Sequence, residues 1–415
     1  MSKLSMQDYI HKTTCRVCEG TDLVKVLDLG STPPANAYLK KEDLEKLEQS
    51  FPLVLYFCRM CSLAQLLDVV NPEILFKDYH FLTGASSPSV AHFKQYAEEA
   101  ILPLITSPDD LVIDIGGNDG ILLSFVTDFA RVLNVDPADN LAPISEGNGV
   151  PFYPAFFDSK VADDIIAKYG KAKVVVANNV FAHTDPIRDV FKGVSKLIEE
   201  DGTFIFEVHW AKHLVEAGAF DQIYHEHLCF YSLHAAKYLV EAAGMKIFDV
   251  EIISEQGQSL RIFVAKYKEA TPAVERILAE EKTAGLIDEV TYRSFAQTVE
   301  TNKQKLLVLL KGLKASGKKI VGYGAPAKGN TLLNYYGIGP DILEYLTDTT
   351  TLKQGLYSPG MHIPIVSPER LLTETPDYIL LLAWNFKDAI LEKEKALRTK
   401  GVKFISTVPV VEILS

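Results

Sequence analysis

The sequence predicts a three-part α/β protein: a small cysteine-rich module over residues 1–80, then two units of alternating strands and helices over 81–268 and 269–415. Three observations carry that expectation. Four of the five cysteines fall in two C-x-x-C pairs, Cys15–Cys18 and Cys58–Cys61. Past Ser87, short apolar runs alternate with amphipathic stretches, the pattern of a parallel sheet with helices on its faces. Two of those runs end in glycine turns, Asp114-Ile-Gly-Gly-Asn-Asp-Gly120 and Tyr323-Gly-Ala-Pro-Ala-Lys-Gly329.

Composition narrows the class of partner. The chain has 415 residues, 47% hydrophobic and 23% charged, which is ordinary globular usage with length for several cores. Its net charge of −12 argues against nucleic acid or an anionic membrane, because neutralising phosphates takes clustered Lys and Arg. One phosphorylated small molecule needs only a local basic pocket. The longest apolar runs, such as Tyr378–Trp384, are too short to span a bilayer, and the first residues lack the apolar core of a secretory signal. A soluble, cytoplasmic protein is expected.

The cysteine module comes first. A two-residue gap lets both thiolates of a knuckle face one tetrahedral ion, and two knuckles close the shell. Cys15, Cys18, Cys58 and Cys61 are therefore expected to hold a structural Zn²⁺, with no position left for water. A disulfide is disfavoured in a reducing compartment, and a redox C-x-x-C would occur once and open a helix. The 39 residues between the knuckles exceed the usual ribbon spacing. Cys229, far along the chain, is expected to be a plain core residue.

The middle unit follows. Val90–Leu102 has helical spacing and is expected to stop at Pro103. Strands are expected at Leu111–Ile115, Arg131–Asp136, Lys173–Asn179 and Gly202–Val208. The glycine spacing of the first turn decides the ligand. A dinucleotide fold uses G-x-G-x-x-G, whereas here Asp114 precedes Gly116 and Gly120. That turn resembles motif I of the S-adenosylmethionine (SAM) methyltransferases. Gly116, Asn118 and Gly120 would then line the methionine moiety, Asp114 would face its cationic amino group, and Asn178 would close the site from a neighbouring strand. Asp136, about twenty residues on, offers two acceptor oxygens to a ribose cis-diol.

The third unit starts after Lys266–Ala273, with a long helix expected over Tyr292–Leu313 and strands at Leu343–Thr347, Tyr378–Ala383 and Lys403–Ser406. Its turn carries Pro326 and Lys328 where a dinucleotide site would carry glycine. Backbone N–H groups at a helix start plus a lysine suit a diphosphate.

The stretch Tyr224-His-Glu-His227, with the knuckles before it and Gly324-Ala-Pro-Ala-Lys-Gly329 after it, is distinctive. With that domain order the chain resembles, over essentially its whole length, the sugar C-methyltransferases, three-domain enzymes that methylate a carbon of a nucleotide-linked ketosugar. The resemblance implies that His227 is the catalytic base, beside Glu226 and Tyr224, with His183 and Tyr79 in the same site. It also implies a nucleotide-diphospho-ketosugar, dTDP-linked, anchored by the third domain through Lys328, Asn330 and Lys353. A monomer or small homo-oligomer is expected. Val208-His209-Trp210 is more polar than the resemblance leads one to expect, which bears on the shape of the substrate pocket.

The residues support the same chemistry. Methylating carbon requires removing a proton beside a carbonyl, and an imidazole near neutral pH suits that step. Glu226 is expected to hold the imidazole or raise its basicity, and tyrosine hydroxyls to stabilise the enolate oxygen. His225 and His234 are expected to be satisfied core or surface residues, and the run lacks the H-E-x-x-H spacing of a catalytic metal site. Two other readings compete with this one: a non-catalytic sugar-nucleotide or SAM binder, and an O- or N-methyltransferase on another small molecule.

Overall fold

The computed structural model describes residues 8–76, 84, 87–253 and 258–414. Tyr79 lies outside the described residues.

The amino-terminal module is built on antiparallel strands Leu23–Thr32, Phe51–Cys58 and Ala64–Leu66. A fourth strand, Cys229–Phe230, comes from the middle of the chain and pairs with Ala64–Leu66, and Leu66 N–H donates to Leu228 O at 2.9 Å. Cys229 is buried as expected, but in this borrowed strand.

The middle unit is a seven-stranded sheet. From one edge it runs Lys246–Ile253, Ser259–Ala265, Ile198–His209, Ala172–Asn178, Leu111–Ile115, Arg131–Asp136 and Phe152–Pro154. Ser259–Ala265 is antiparallel to both its neighbours, and the five strands from Ile198–His209 onward are mutually parallel. The helix Ile187–Leu197 shows why the sheet is covered: Ile187, Val190, Phe191, Val194 and Leu197 fall on one stripe and are buried. The helix expected to end at Pro103 spans Ser87–Tyr96, then continues as a π-turn, Ala97–Ile101, and a 3₁₀ turn, Leu102–Leu104. Pro103 sits in the first turn of that last piece, where its missing N–H costs no helical bond.

The carboxy-terminal sheet has six strands, in the order Ile365–Val366, Leu346–Thr347, Ile320–Tyr323, Tyr378–Leu381, Lys403–Ser406 and Glu412–Leu414. In chain order that is 3-2-1-4-5-6, the Rossmann arrangement, with an antiparallel final strand. The long helix spans Glu289–Ala315 and buries Tyr292, Phe295, Val299, Leu306 and Leu310. Tyr292 packs on Phe57 of the cysteine module, ring centroids 4.8 Å apart. One buried apolar cluster runs from Leu55 and Phe57 through Trp210 and Phe220 to Leu306 and Leu333, so the three units share a core. Among the described residues no helix is long and apolar enough to cross a membrane.

Candidate active site and metal centre

The two knuckles fold alike. In each, the N–H four residues after the first cysteine returns to that cysteine's carbonyl, Glu19 to Cys15 and Ser62 to Cys58, both at 2.9 Å. Glu19 and Ser62 take left-handed φ values of 60° and 62° to do so. The turns bring the four sulfurs within 4.8 Å of one another, with Cys15–Cys61 and Cys18–Cys58 at 3.5 Å. Tetrahedral Zn²⁺ with bonds of about 2.3 Å needs sulfurs about 3.8 Å apart, so the cluster fits the ion. Thiol bonds from Cys58 and Cys61 pull the Cys15 pKa down to about 2.

The first knuckle also reaches the reaction centre. Buried Arg16 places Nε 2.9 Å from Asp185, and Arg188 donates to Val17 O at 2.7 Å. Asp185 stands two residues past His183, so the metal module holds the loop that carries that histidine.

At the carboxyl edge of the middle sheet, Gly116, Asn118 and Gly120 adopt φ of 70°, 52° and 75°. A Cβ at Gly116 would stand 2.5 Å from Val180 Cγ2, so this turn needs glycine. Asp136 ends the adjacent strand and accepts from Asn118 N–H at 3.1 Å and Ala138 N–H at 2.9 Å. Burial, then the charges of Asp136, Glu207 and Asp119, hold the Asp114 carboxyl well above its usual range. Its Oδ1 and both amide atoms of Asn178 are buried without a hydrogen-bond partner among the described residues. Such orphaned groups are costly unless a ligand satisfies them. A cationic amino group beside Asp114 and hydroxyls beside Asp136 would do so, and the residues fit SAM.

Beyond that edge lies the Tyr-His-Glu-His turn, closed by His227 N–H to Tyr224 O at 2.8 Å. His227 Nδ1 is 2.9 Å from Gln222 O and Nε2 is 2.9 Å from the Tyr224 hydroxyl. A carbonyl only accepts, so Nδ1 carries the proton and Nε2 of the neutral ring keeps its lone pair. Burial, then the charges on His183 and His209, push the His227 pKa well below its usual value and keep the ring neutral. His183 sits with its ring centroid 5.0 Å away and bonds Glu226 O through Nδ1 at 2.8 Å.

Glu226 was expected to hold the imidazole; the Gln222 carbonyl does that instead. The Glu226 carboxylate accepts from Asn36 Nδ2 at 2.7 Å, and burial lifts its pKa to about 7 against that bond. His225 is buried, with Nε2 3.1 Å from Phe51 O, and His234 pairs with Glu281 at 2.7 Å. Gln222 and Asn36 carry no signal of these roles in the sequence. The sequence did flag His209, whose ring centroid stands 5.5 Å from that of His227. Its Nδ1 is buried without a partner among the described residues. Burial, then the charges on Lys328, His183 and His213, bring it down to about 3.

The structure divides the three expected anchors of the last domain. Lys328 lies over the Trp384 ring, 5.3 Å from its centroid, and its charge is felt by His209, His213 and His227 as well as Asp221. Asp221 in turn accepts from Trp384 Nε1 at 2.6 Å. Lys328 therefore belongs to the histidine cluster. Asn330 is buried and donates to Ala35 O at 2.8 Å. Lys353 donates to Ala325 O at 2.9 Å, and its ammonium lies 5.2 Å from the Tyr38 ring centroid. Both brace the glycine turn against the strap Pro33–Leu39 that leaves the cysteine module.

Comparison with known proteins bears on all three units. Residues 15–76 match the family described as "Putative zinc binding domain", 90–250 match "Methyltransferase domain" and 254–409 match "C-methyltransferase C-terminal domain". The C-methyltransferase NovU of Streptomyces niveus is 37% identical over 415 residues, 99% of each chain. Among solved structures, magnesium protoporphyrin IX methyltransferase of Synechocystis, with bound SAM, is 14% identical with a TM-score of 0.33, covering 46% of this chain and 86% of its own. A SAM-dependent methyltransferase of Clostridium acetobutylicum is 13% identical with a TM-score of 0.35, covering 48% and 96%.

Proposed function

The chain belongs to the C-methyltransferase family, and from that footing we propose that it methylates C3 of a nucleotide-diphospho-4-keto-deoxysugar, with SAM as the methyl donor and zinc as a structural ion. The observation that carries the reading is the tautomer of His227. With Nδ1 committed to the Gln222 carbonyl, Nε2 is the basic atom, and burial keeps it unprotonated.

On this reading His227 Nε2 takes the proton from C3, and the C–H electron pair becomes an enolate spread onto the 4-oxygen. Negative charge forming beside the ring raises its proton affinity as the proton arrives, which offsets the depressed pKa. Tyr224, displaced from Nε2, is within reach of the enolate oxygen, a role shared with Tyr79. Bound SAM supplies an electrophilic methyl on a sulfonium, and Asp114, Asp136 and Asn178 hold it beside the turn of Gly116, Asn118 and Gly120. Lys328 faces the same cleft and meets the diphosphate, while Asn330 and Lys353 fix the domain that presents it. Thymidine diphosphate is the first nucleotide to test. Transfer to oxygen or nitrogen would have little use for donors that stabilise an enolate.

The test is to incubate the protein with SAM and a panel of nucleotide-linked 4-ketosugars deuterated at C3 or at C5, the two carbons flanking the ketone. Methylation with loss of the C3 label is expected. Loss from C5 alone would move the reaction to the other side of the carbonyl, and a product retaining both labels would end the carbon-methylation reading. His227→Ala should lose about 10²–10⁴-fold in turnover and still bind SAM.

A further inference from the structure

The strap Pro33–Leu39 touches both halves of the cleft. On one side Ala35 O accepts from Asn330 Nδ2 at 2.8 Å, the Tyr38 hydroxyl donates to Ala325 O at 2.6 Å, and Leu39 bridges to Tyr357. On the other, Asn36 reaches Glu226 at 2.7 Å across 190 residues of sequence. Its neighbours fix the strap's position, so Asn36 is delivered to the carboxyl by two domains at once.

We propose that Asn36 is a positioning residue for the reaction: the metal module lends a hydrogen-bond donor that orients the Glu226 carboxyl and favours its ionised form. The inference rests on the proposed function, with Glu226 taken as part of the same reaction site as His227, its neighbour in sequence. Glu226 is buried, and burial alone would favour its neutral form. Near it stand Tyr38 from the strap, His183 from the facing loop, and Tyr224, His225 and His227 of its own turn. The two buried imidazoles on its own turn, His225 and His227, are neutral at ordinary pH, and His183 is pushed the same way by burial. Tyr38 is neutral too, raised by its own burial. The buried imidazoles supply no cation, so among the described residues the carboxylate leans on the Asn36 amide. The same arrangement makes the acid sensitive to whether the carboxy-terminal glycine turn is docked on the strap, although the two lie in different domains.

The experiment is the pH profile of kcat/KM in the full zinc-loaded protein, for wild type, Glu226→Gln, Asn36→Ala and Asn36→Asp. Wild type should gain activity through a limb near neutral pH, and Glu226→Gln should abolish it. Losing the donor disfavours the ionised form, so Asn36→Ala should move the limb up by about one pH unit. That costs about fivefold at pH 7 and recovers in alkali. Asn36→Asp, which sets a like charge against the carboxylate, should move it further. Zinc content and SAM affinity should match wild type in both. A limb that stays in place in both Asn36 variants overturns the proposal. A wild-type limb that survives Glu226→Gln instead overturns the reading of Glu226 on which it rests.

Discussion

The two glycine turns of this chain sit at equivalent places in two similar sheets and have been put to opposite uses. The turn at Asp114–Gly120 leaves polar atoms open: Asp114 Oδ1 and the Asn178 amide have no partner among the described residues. The turn at Tyr323–Gly329 has its groups taken. Ala325 N–H donates to Asp348 Oδ2 at 2.8 Å, and Ala325 O accepts from both Tyr38 and Lys353. A carboxylate already fills the place where a phosphate would meet that N–H. The unsatisfied groups of the first turn suit a cationic, hydroxyl-bearing ligand; the second is a fastening point for the metal module, with Lys328 over the Trp384 ring. Topology therefore fixes where a ligand can lie, and the groups left unsatisfied decide which ligand it is.

The sharpest way to break this contrast is to remove the metal. Structural zinc contributes about 10–16 kcal/mol to small metal-bound folds, so a chelator or Cys58→Ser should unfold the module and release the strap. Nucleotide-diphosphate affinity and turnover should collapse, while calorimetry still finds SAM bound at the first turn. Loss of both ligands together would mean that the turns are not independent. Next in size is Asp136→Ala. Two lost charged hydrogen bonds, at about 1.5–3 kcal/mol each, should weaken SAM by about a hundredfold or more and leave nucleotide diphosphate unchanged. Lys328→Ala removes one such bond and should weaken nucleotide diphosphate by about 10–150-fold without touching SAM. Unchanged affinity would return Lys328 to a packing role over Trp384. The smallest effect is one of pH. Burial raises the Asp136 pKa, so its carboxylate protonates sooner on acidification than an ordinary aspartate. SAM affinity should fall with decreasing pH before that of the nucleotide does, and parallel titrations of the two ligands would test it.

Local chemistry was legible in the sequence wherever a short motif determines its own geometry. The C-x-x-C knuckles, the Asp114 turn and the acid at Asp136 each declare themselves within a few residues, and strand Lys403–Ser406 falls where its apolar run put it. Contacts between distant segments were not legible. Nothing in Pro33-Pro-Ala-Asn-Ala-Tyr38 says that Asn36 meets Glu226, or that the carbonyl of Gln222 fixes the tautomer of His227. The Gln222 carbonyl belongs to the backbone, which every residue carries alike. Strand Leu346–Thr347 is shorter than its expected run, although Glu344 N–H already donates to Ile320 O at 3.2 Å. His209 showed itself only as a departure from expectation, and the structure turns that oddity into a third imidazole near the base.

The two-residue strand Cys229–Phe230 has a consequence for biosynthesis. Chains emerge amino terminus first, and the cysteine module can take up its ion and form three of its strands while the ribosome is still adding the middle domain. Its open edge at Ala64–Leu66 then waits for a segment synthesised much later, and the residues that arrive to fill it directly follow His227. The first domain made thus acts as the template on which the Tyr224–His227 turn is laid down. A protein started at the middle domain would lack that template, and excising the domain is expected to cost the reaction centre before it costs the cofactor site.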